Sequence, residues 1–307
     1  MTECERIIKK GIIPESFLKE EIRNEFSVTN ERKKIWMIEL DLLFEIIRIC
    51  EKYNINYYLA GGCILGAVRH KGFIPWDDDI DVSMFREDYE KFCKVCPSEI
   101  QDPYFLRSTE TENNCWLSAA KLCNSNTTGI RKRDIGKSGI NKGIFVDIIP
   151  MDYVDNNPII RKIIFRRVIL RTKLANAYSF DTNKSKKAQI ASRLLRLKIL
   201  HFNLKKWSVK TNKIASSSRK NSKQIGFVIC TPYKHDRVTW DIDDFKGYTE
   251  LPFEFTSIKV PSGYKDVLSV MYHDYMKFPP VEERGKWHSI TFDPDTPFED
   301  YCKAHNV

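Results

Sequence analysis

The sequence predicts an α+β fold in which a mixed β-sheet is flanked by helices and carries a basic helical insertion. A long amphipathic segment, residues 31–53, precedes a short strand-like run and a paired-glycine turn. A second run, Gly143–Pro150, is almost continuously apolar, which is typical of a buried strand. Residues 158–220 combine basic residues with apolar residues at helical spacing. With 307 residues, 42% of them hydrophobic, the chain can bury a sizeable core.

Composition and charge divide the chain into four predicted segments. These are an N-terminal arm (1–30), a mixed-sheet core (31–156), the basic helical insertion (157–222) and a C-terminal segment that packs on the core (223–307). Asn30 is predicted to cap a helix from Glu31 to about Tyr53, whose apolar residues face the core.

A paired-glycine turn follows the first predicted strand of the core. Ile55–Ala60 is rich in β-branched and aromatic residues and predicts a short strand, and Cys63–Arg69 has the length of a short helix. Gly61 and Gly62 lie between them. The first N–H groups of a helix bind anions, and glycine allows a phosphate to approach the backbone closely. A Gly-Gly pair by itself is more typical of a plain turn.

About sixteen residues after the paired glycines, four aspartates lie within five positions: Asp77, Asp78, Asp79 and Asp81. An extended conformation is predicted for residues 77–85. Successive side chains then alternate, so Asp77, Asp79 and Asp81 share one face and Asp78 faces away. Carboxylates about 7 Å apart need a counter-charge, and the pattern favours a magnesium-type cation that keeps waters and substrate phosphates as ligands. The alternative interpretation is a solvated acidic turn or a helix cap.

A single aspartate, Asp147, lies within the apolar run Gly143–Pro150. An unpaired buried carboxylate is costly, so three interpretations remain open. Asp147 forms an ion pair, is protonated, or binds a metal ion and acts as a general base.

Residues 61–81 are very similar to the signature of the LicD family, whose best known members are phosphorylcholine transferases. The family includes the fukutin-related ribitol-phosphate transferases. The similarity continues through Arg86–Phe92 and the strand around Asp147, and it returns at Tyr272–Pro280, followed by His288. The resemblance implies the nucleotidyltransferase fold, in which a Gly-Gly or Gly-Ser turn is followed by an Asp-x-Asp strand and a later single Asp.

The resemblance also implies a reaction. A phospho-substituent, such as phosphocholine or a phospho-alditol, would move from a CDP-linked donor to a hydroxyl of a cell-surface glycan or its lipid-linked precursor. Phosphoryl transfer depends mainly on positioning and charge neutralisation, which carboxylate-bound metal ions provide. The predicted cofactor is Mg²⁺, with Mn²⁺ as a substitute.

Roles in this reaction can be assigned to individual residues. Asp79 and Asp81 are the expected main metal ligands, and Asp77 is an expected outer ligand. Asp147 would complete the metal site and accept the proton of the acceptor hydroxyl. The predicted substrate-binding residues are Gly61, Gly62, Arg69, His70, Lys121 and His288. An arginine can bind phosphate bidentately, whereas the alternative for these cations is a helix C-terminal or surface charge.

The basic charge is concentrated in one part of the chain. Residues 158–220 contain eighteen of the 50 basic residues but one of the 41 acidic residues, so the net charge of +9 lies wholly in this segment. Three interpretations remain open: contact with an anionic membrane, binding of an acidic glycan or nucleotide, or a solvated helix face. No motif that reads DNA or RNA accompanies the charge, so a nucleic-acid partner is not predicted.

The remaining sequence features concern location and rival functions. The chain has no apolar run of about eighteen residues and begins with acids, which predicts a cytoplasmic protein. Peripheral binding to the inner face of the membrane is compatible with this location. Nine scattered cysteines predict reduced thiols, and Cys93 and Cys96 are predicted to pack in the core or to form a partly exposed thiol pair rather than to bind zinc. The rival functions are a nucleotidyltransferase that adds a nucleoside monophosphate and a non-catalytic membrane- or glycan-binding protein.

Overall fold

The computed structural model describes residues 1–112, 119–137, 139–179, 203–218, 221–230, 238–285 and 290–307. The strands are β1 (Glu21–Arg23), β2 (Phe26–Val28), β3 (Tyr58–Leu59), β4 (Asp81–Phe85), β5 (Tyr104–Arg107), β6 (Ala120–Asn124), β7 (Thr128–Arg131), β8 (Ile144–Val154), β9 (Gln224–Gly226), β10 (Thr239–Asp241), β11 (Tyr248–Phe253), β12 (Thr256–Pro261) and β13 (Ile290–Asp293). The helices are α1 (Glu3–Lys9), α2 (Asn30–Tyr53), α3 (Gly61–His70), α4 (Arg86–Glu99), α5 (Pro158–Ser179), α6 (Leu204–Ala215), α7 (Tyr264–Tyr272) and α8 (Phe298–His305).

A seven-stranded mixed sheet with the long strand β8 at its centre organises the fold. On one side β8 pairs in parallel with β4, which pairs antiparallel with β3. On the other side the first half of β8 pairs antiparallel with β6, and β6 with β5. The second half pairs antiparallel with β9, which leads to β10. Helices flank this mixed sheet, so the predicted α+β fold is confirmed.

Helix α2 covers the sheet and begins one residue earlier than predicted. The hydroxyl of Thr29 accepts the backbone N–H of Arg32, so Thr29 and not Asn30 is the cap. The Asn30 side chain instead donates to the backbone carbonyl of Leu18 at 2.9 Å. The apolar face of α2 is buried as expected, with Trp36 inaccessible to solvent.

Residues 1–30 are folded against the core, although the sequence predicted an arm. Ile7 and Ile13 are buried. The Arg6 guanidinium lies 2.9 Å from a carboxylate oxygen of Asp41 in α2, and the side-chain amide of Asn124 in β6 donates to Glu3 at 2.6 Å. Helix α1 is therefore fixed to both the long helix and the sheet.

Strand β4 is shorter than the predicted extended segment. It begins at Asp81, whereas residues 77–80 have no regular secondary structure. The backbone N–H of Asp77 donates to the Ile74 carbonyl at 2.9 Å, which closes a turn around Pro75. The Asp77 carbonyl accepts from the side chains of Arg32 and Trp36 in α2. The predicted strand is therefore wrong for residues 77–80. Burial still alternates over them as predicted, because Asp77, Asp79 and Asp81 are half-buried whereas Asp78, Ile80 and Val82 are buried.

The basic insertion follows β8, and its helices α5 and α6 pack on each other and beside the end of β8. Ile164, Phe165 and Val168 of α5 are buried in one cluster with Val228 and Ile229. A buried bidentate ion pair joins Arg86 to Asp152 in β8, with both N–O distances 2.7 Å. Arg86 also donates to Asn212 of α6. The rest of the predicted insertion, residues 180–202 and 219–220, lies outside the described residues.

The C-terminal segment returns to the start of the sheet. Helix α7 contacts α3, and β12 contacts β3. At the tip of the β11–β12 hairpin, the Glu254 N–H donates to the Lys71 carbonyl at 2.7 Å, and its carboxylate accepts the Phe73 N–H at 2.9 Å. Among the helices described above, none has the length and apolarity needed to cross a membrane.

Candidate active site

Four adjacent strands place a row of charged residues across the sheet. Asp81 in β4 lies opposite Asp147 in β8, Asp147 lies opposite Lys121 in β6, and Lys121 lies opposite Arg107 in β5. Side chains of such paired residues project from the same face of a sheet, with neighbouring Cβ atoms about 5 Å apart. Two carboxylates and two cations, far apart in sequence, are thereby brought into one line.

The N-terminus of helix α3 lies directly against the carboxylates. Gly61 begins the helix with a φ of 54°, which favours glycine. A Cβ atom on Gly62 would lie 2.8 Å from Oδ2 of Asp77, and one on Gly61 would lie 3.7 Å from Oδ2 of Asp81. The two glycines therefore leave the space in which a helix start and two carboxylates meet, and the helix dipole favours negative charge there.

Cys63, in the first turn of α3, holds the acidic turn in place. The backbone N–H of Asp81 donates to Cys63 Sγ at 3.2 Å, and the thiol lies 3.6 Å from the Asp79 carbonyl, to which it donates. The sequence analysis assigned Cys63 to the helix but gave it no part in the site. The only sequence feature that pointed to a role for Cys63 in the site was its position two residues after Gly61.

Asp147 is ionised because two cations hold it. Lys121 forms an ion pair with Oδ1 of Asp147, and Arg131 lies 2.5 Å from Oδ2. Burial alone would raise the pKa of Asp147, but the charges of Lys121 and Arg131 outweigh it and hold the pKa well below its usual range. Both cations also lie over the ring of Phe145. Of the three interpretations left open for Asp147, the structure shows the ion pair.

Asp81 has the opposite environment. Burial raises the pKa of Asp81 above its ordinary value, and the nearby charge of Asp147 raises it further. An additional positive charge beside this carboxyl group, such as a divalent cation, would therefore stabilise its ionised form.

Two further residues near the carboxylates were not among the sequence-predicted site residues. Glu39 of α2 is buried, and burial followed by the charges of Asp79 and Asp78 raises its pKa well above the usual value. The hydroxyl of Tyr272 would lie 3.9 Å from a Cβ on Gly61, and burial followed by the charge of Asp77 raises its pKa. Each approaches from a helix remote in sequence, so no local spacing pointed to it.

The carboxylates fit a magnesium ion only with local rearrangement. Within the described residues, no three side chains of His, Cys, Asp or Glu already surround one point as metal ligands. Asp147 is turned towards Lys121 and Arg131. Magnesium requires one or two protein carboxylates and takes its remaining ligands from water and phosphate, which Asp81 and Asp77 beside the helix start can satisfy.

Arg69 and His70 lie at the other end of α3, about 13 Å along the helix from the glycines. The Arg69 guanidinium donates to the carbonyls of Tyr275 and Lys277, both at 3.2 Å. His70 stacks on Phe278, and burial followed by the charge of Arg69 lowers its pKa to about 4. The structure therefore does not bring these two side chains to the carboxylates, and their predicted phosphate contacts remain predictions.

His288 belongs to residues 286–289, which are outside the described part of the chain. Its predicted role in substrate binding stays a prediction.

Comparison with known proteins identifies the family. The family of the LicD/FKTN/FKRP nucleotidyltransferase domain matches residues 54–168. The lipopolysaccharide cholinephosphotransferase LicD of Haemophilus influenzae is 31% identical over 279 residues, which cover 82% of this chain and 94% of that protein. This chain belongs to the LicD family.

Other relatives of this LicD-family protein match shorter regions. Ribitol 5-phosphate transferase FKRP of human and mouse is 42% identical over 43 residues, 14% of this chain and 9% of FKRP. An uncharacterized protein of Rickettsia typhi is 35% identical over 94 residues, 31% of this chain and 28% of that protein. The region that matches the LicD family domain includes α3, the turn before β4, β4 and β8, which together carry the paired glycines and the carboxylates.

Proposed function

We propose that this LicD-family protein is a metal-dependent transferase. It moves phosphocholine or a similar phospho-alcohol or phospho-alditol from a CDP-linked donor to a hydroxyl of a cell-surface glycan or its lipid-linked precursor. The similarity to the Haemophilus lipopolysaccharide cholinephosphotransferase over 94% of that protein supports the class of reaction. The structural observation that carries the proposal is the pairing of Asp81 with Asp147 beside the N-terminus of α3.

In this proposal the carboxylates hold Mg²⁺, which supplies charge neutralisation for the donor diphosphate when it is bound. Asp79 and Asp81 provide the main ligands, Asp147 completes the metal site, and Asp77 is an outer ligand. The backbone N–H groups at the start of α3 are oriented to bind a donor phosphate. Lys121 and Arg131, which pair with Asp147, would supply positive charge to stabilise the negative charge that develops on the leaving CMP.

Asp147 was predicted both to bind the metal and to accept the proton of the acceptor hydroxyl. A carboxylate whose pKa is held low by two cations is a weak proton acceptor. We therefore favour metal ligation as its main role. Proton acceptance by Asp147 requires that Lys121 and Arg131 turn towards the phosphates during the reaction.

The donor half of the reaction can be tested before the acceptor is identified. The full chain is incubated with Mg²⁺ and a panel of CDP-choline, CDP-ethanolamine and CDP-ribitol, and release of CMP is measured with and without a lipopolysaccharide acceptor. We expect CMP release that requires Mg²⁺ and falls on the order of 100-fold or more in Asp81→Asn and in Asp147→Asn. The exposed Asp243→Asn serves as the matched control and should keep the wild-type rate.

Labelling each half of the donor separates the rival functions. Transfer of labelled choline phosphate with free CMP supports the proposal, whereas transfer of the labelled nucleotide would assign a nucleotidyltransferase. If no donor in the panel is consumed, or if both aspartate variants retain full activity, the proposal is wrong.

A further inference from the structure

Helix α5 exposes a stripe of large aliphatic side chains. Ile159, Ile163 and Leu170 are 70%, 50% and 58% exposed. At 100° per residue these three positions lie within about 40° of one another on the helix and extend about 16 Å along it. Scattered exposed aliphatic residues are ordinary, but three aligned on one helix face indicate an interaction surface.

This stripe is not the face by which α5 packs on the protein. The packing face consists of Ile164, Phe165 and Val168, which are buried against the cluster that includes Val154 and Ala215. On the helix the buried face is centred about 170° away from the exposed stripe. Helix α5 therefore has two apolar faces on opposite sides, and within the part of the chain that the structure describes only one of them is packed.

Cations flank the exposed stripe on both sides. Lys162 and Arg166 lie on one side and Arg167 on the other, and all three are exposed. Helix α5 contains no acidic residue from Pro158 to Ser179. A helix face with aliphatic side chains at its centre and cations at its edges matches the boundary between acyl chains and anionic headgroups.

We infer that the exposed face of α5, defined by Ile159, Ile163 and Leu170 with their flanking cations, binds the surface of an anionic lipid bilayer. An acidic glycan or a nucleotide would use the cations but leave the aliphatic stripe in water. A bilayer uses both. Asp147 lies seven strand positions, about 23 Å, before Val154, the last residue of β8 ahead of α5, so the lipid-binding face is separate from the carboxylates.

Sedimentation of the full chain with vesicles tests this inference without any substrate, so its outcome is independent of the proposed transferase activity. We expect binding to phosphatidylcholine vesicles that contain 30% phosphatidylglycerol, and at least tenfold weaker binding to pure phosphatidylcholine. The difference should shrink as salt is added, because salt screens the cations.

Two variants separate the contributions of charge and apolar surface. Arg166→Glu/Arg167→Glu should weaken binding to the anionic vesicles at least tenfold, since each cation contributes about fivefold. Lys94→Glu/Lys265→Glu makes the same change of charge at exposed sites on α4 and α7 and should bind at close to the wild-type strength. Ile159→Ser/Ile163→Ser/Leu170→Ser should also lose binding with all cations in place.

All substituted side chains are exposed, and circular dichroism of each variant verifies folding. The single variant Ile163→Ser repeats the test if the triple variant fails to fold. Equal sedimentation with neutral and anionic vesicles would overturn the inference, as would equal losses in the α5 variants and the control. Self-association that the triple variant abolishes, without lipid binding by the wild type, would assign the face to a second copy of the chain instead.

Discussion

Cys63 and Asp81 are joined by a hydrogen bond between a thiol and a backbone amide. The Asp81 N–H donates to Cys63 Sγ at 3.2 Å, and this contact links the first turn of α3 to the first residue of β4. The position of the Asp81 carboxylate therefore depends on a cysteine eighteen residues earlier. Cys63 is itself buried, so the contact is shielded from water.

Loss of this thiol should destabilise the protein. Cys63→Ala leaves the Asp81 N–H without its acceptor, and we expect the free energy of unfolding to fall by about 1–3 kcal/mol. Cys63→Ser retains an acceptor and should lose less. Urea denaturation measures both, with Ser16→Ala as a control at an exposed position, which should change the unfolding free energy by about 0.5 kcal/mol or less. Equal losses in Cys63→Ala and the control would contradict this assignment.

Substitution of Gly62 should affect metal binding more than folding. The Cβ of Gly62→Ala would lie 2.8 Å from Oδ2 of Asp77, so the flexible carboxylate must move away. Alanine is a better helix former than glycine, which offsets the cost of this movement in the unfolding free energy. We expect the dissociation constant for Mn²⁺, followed by electron paramagnetic resonance, to rise on the order of tenfold.

Gly247→Ala provides a matched control for the Gly62 variant, because the nearest atoms to its added Cβ are 4.0 Å away. Its affinity for Mn²⁺ should equal that of the wild type. A Gly62→Ala protein that binds Mn²⁺ as tightly as this control would show that Asp77 is not a ligand.

The environment of His70 predicts a pH dependence of stability. Burial, then the charge of Arg69, lowers the His70 pKa to about 4, so between that pH and about 6.5 the unfolded chain binds a proton that the folded chain does not. The contribution of neutral His70 to the unfolding free energy is therefore fully present above about pH 6.5 and is lost as the pH falls towards 4. The loss amounts to about 3 kcal/mol at most.

His70→Phe keeps an aromatic ring against Phe278 but cannot titrate. Its unfolding free energy, measured by urea denaturation at a series of pH values, should fall less steeply than that of the wild type between pH 6.5 and 4. Parallel curves for the two proteins would mean that His70 is not held in its neutral form.

The ion pair between Arg86 and Asp152 should be important for stability because both partners are buried. Removal of one partner leaves an uncompensated charge, so Arg86→Met should lose about 3–5 kcal/mol. Arg86→Met/Asp152→Leu removes both charges and should recover much of this loss. Lys303→Met, at an exposed ion pair with Asp300, should change the unfolding free energy by less than about 1 kcal/mol. A double variant less stable than Arg86→Met would contradict the explanation.

Local patterns in the sequence were sufficient to predict the main elements of the site. The apolar residues around Asp147 predicted its strand, and the glycines before Cys63 predicted the turn and helix that face the carboxylates. The predicted strand over residues 77–85 was wrong in its first half, because the turn at Ile74–Asp77 is held by α2, an element remote in sequence.

Partners that depend on strand register could not be predicted in the same way. Arg131 reaches Asp147 from β7, and no spacing rule relates those two positions. Arg69 is of a residue type that commonly binds phosphate, yet its guanidinium donates to backbone carbonyls more than 200 residues later in the chain. In both cases the tertiary fold, rather than the local sequence, decides which partner a charged side chain finds.

The two ion pairs of Asp147 have a consequence for how the protein can be handled. Lys121 and Arg131 act as built-in counterions for Asp147, so this carboxylate is neutralised without a bound cation. We therefore expect folding and the proposed metal binding to be separate events, unlike in a zinc finger, which unfolds in chelator. Variants of the carboxylates can therefore be purified and ranked by stability in chelating buffer, and metal can be added afterwards as an independent variable.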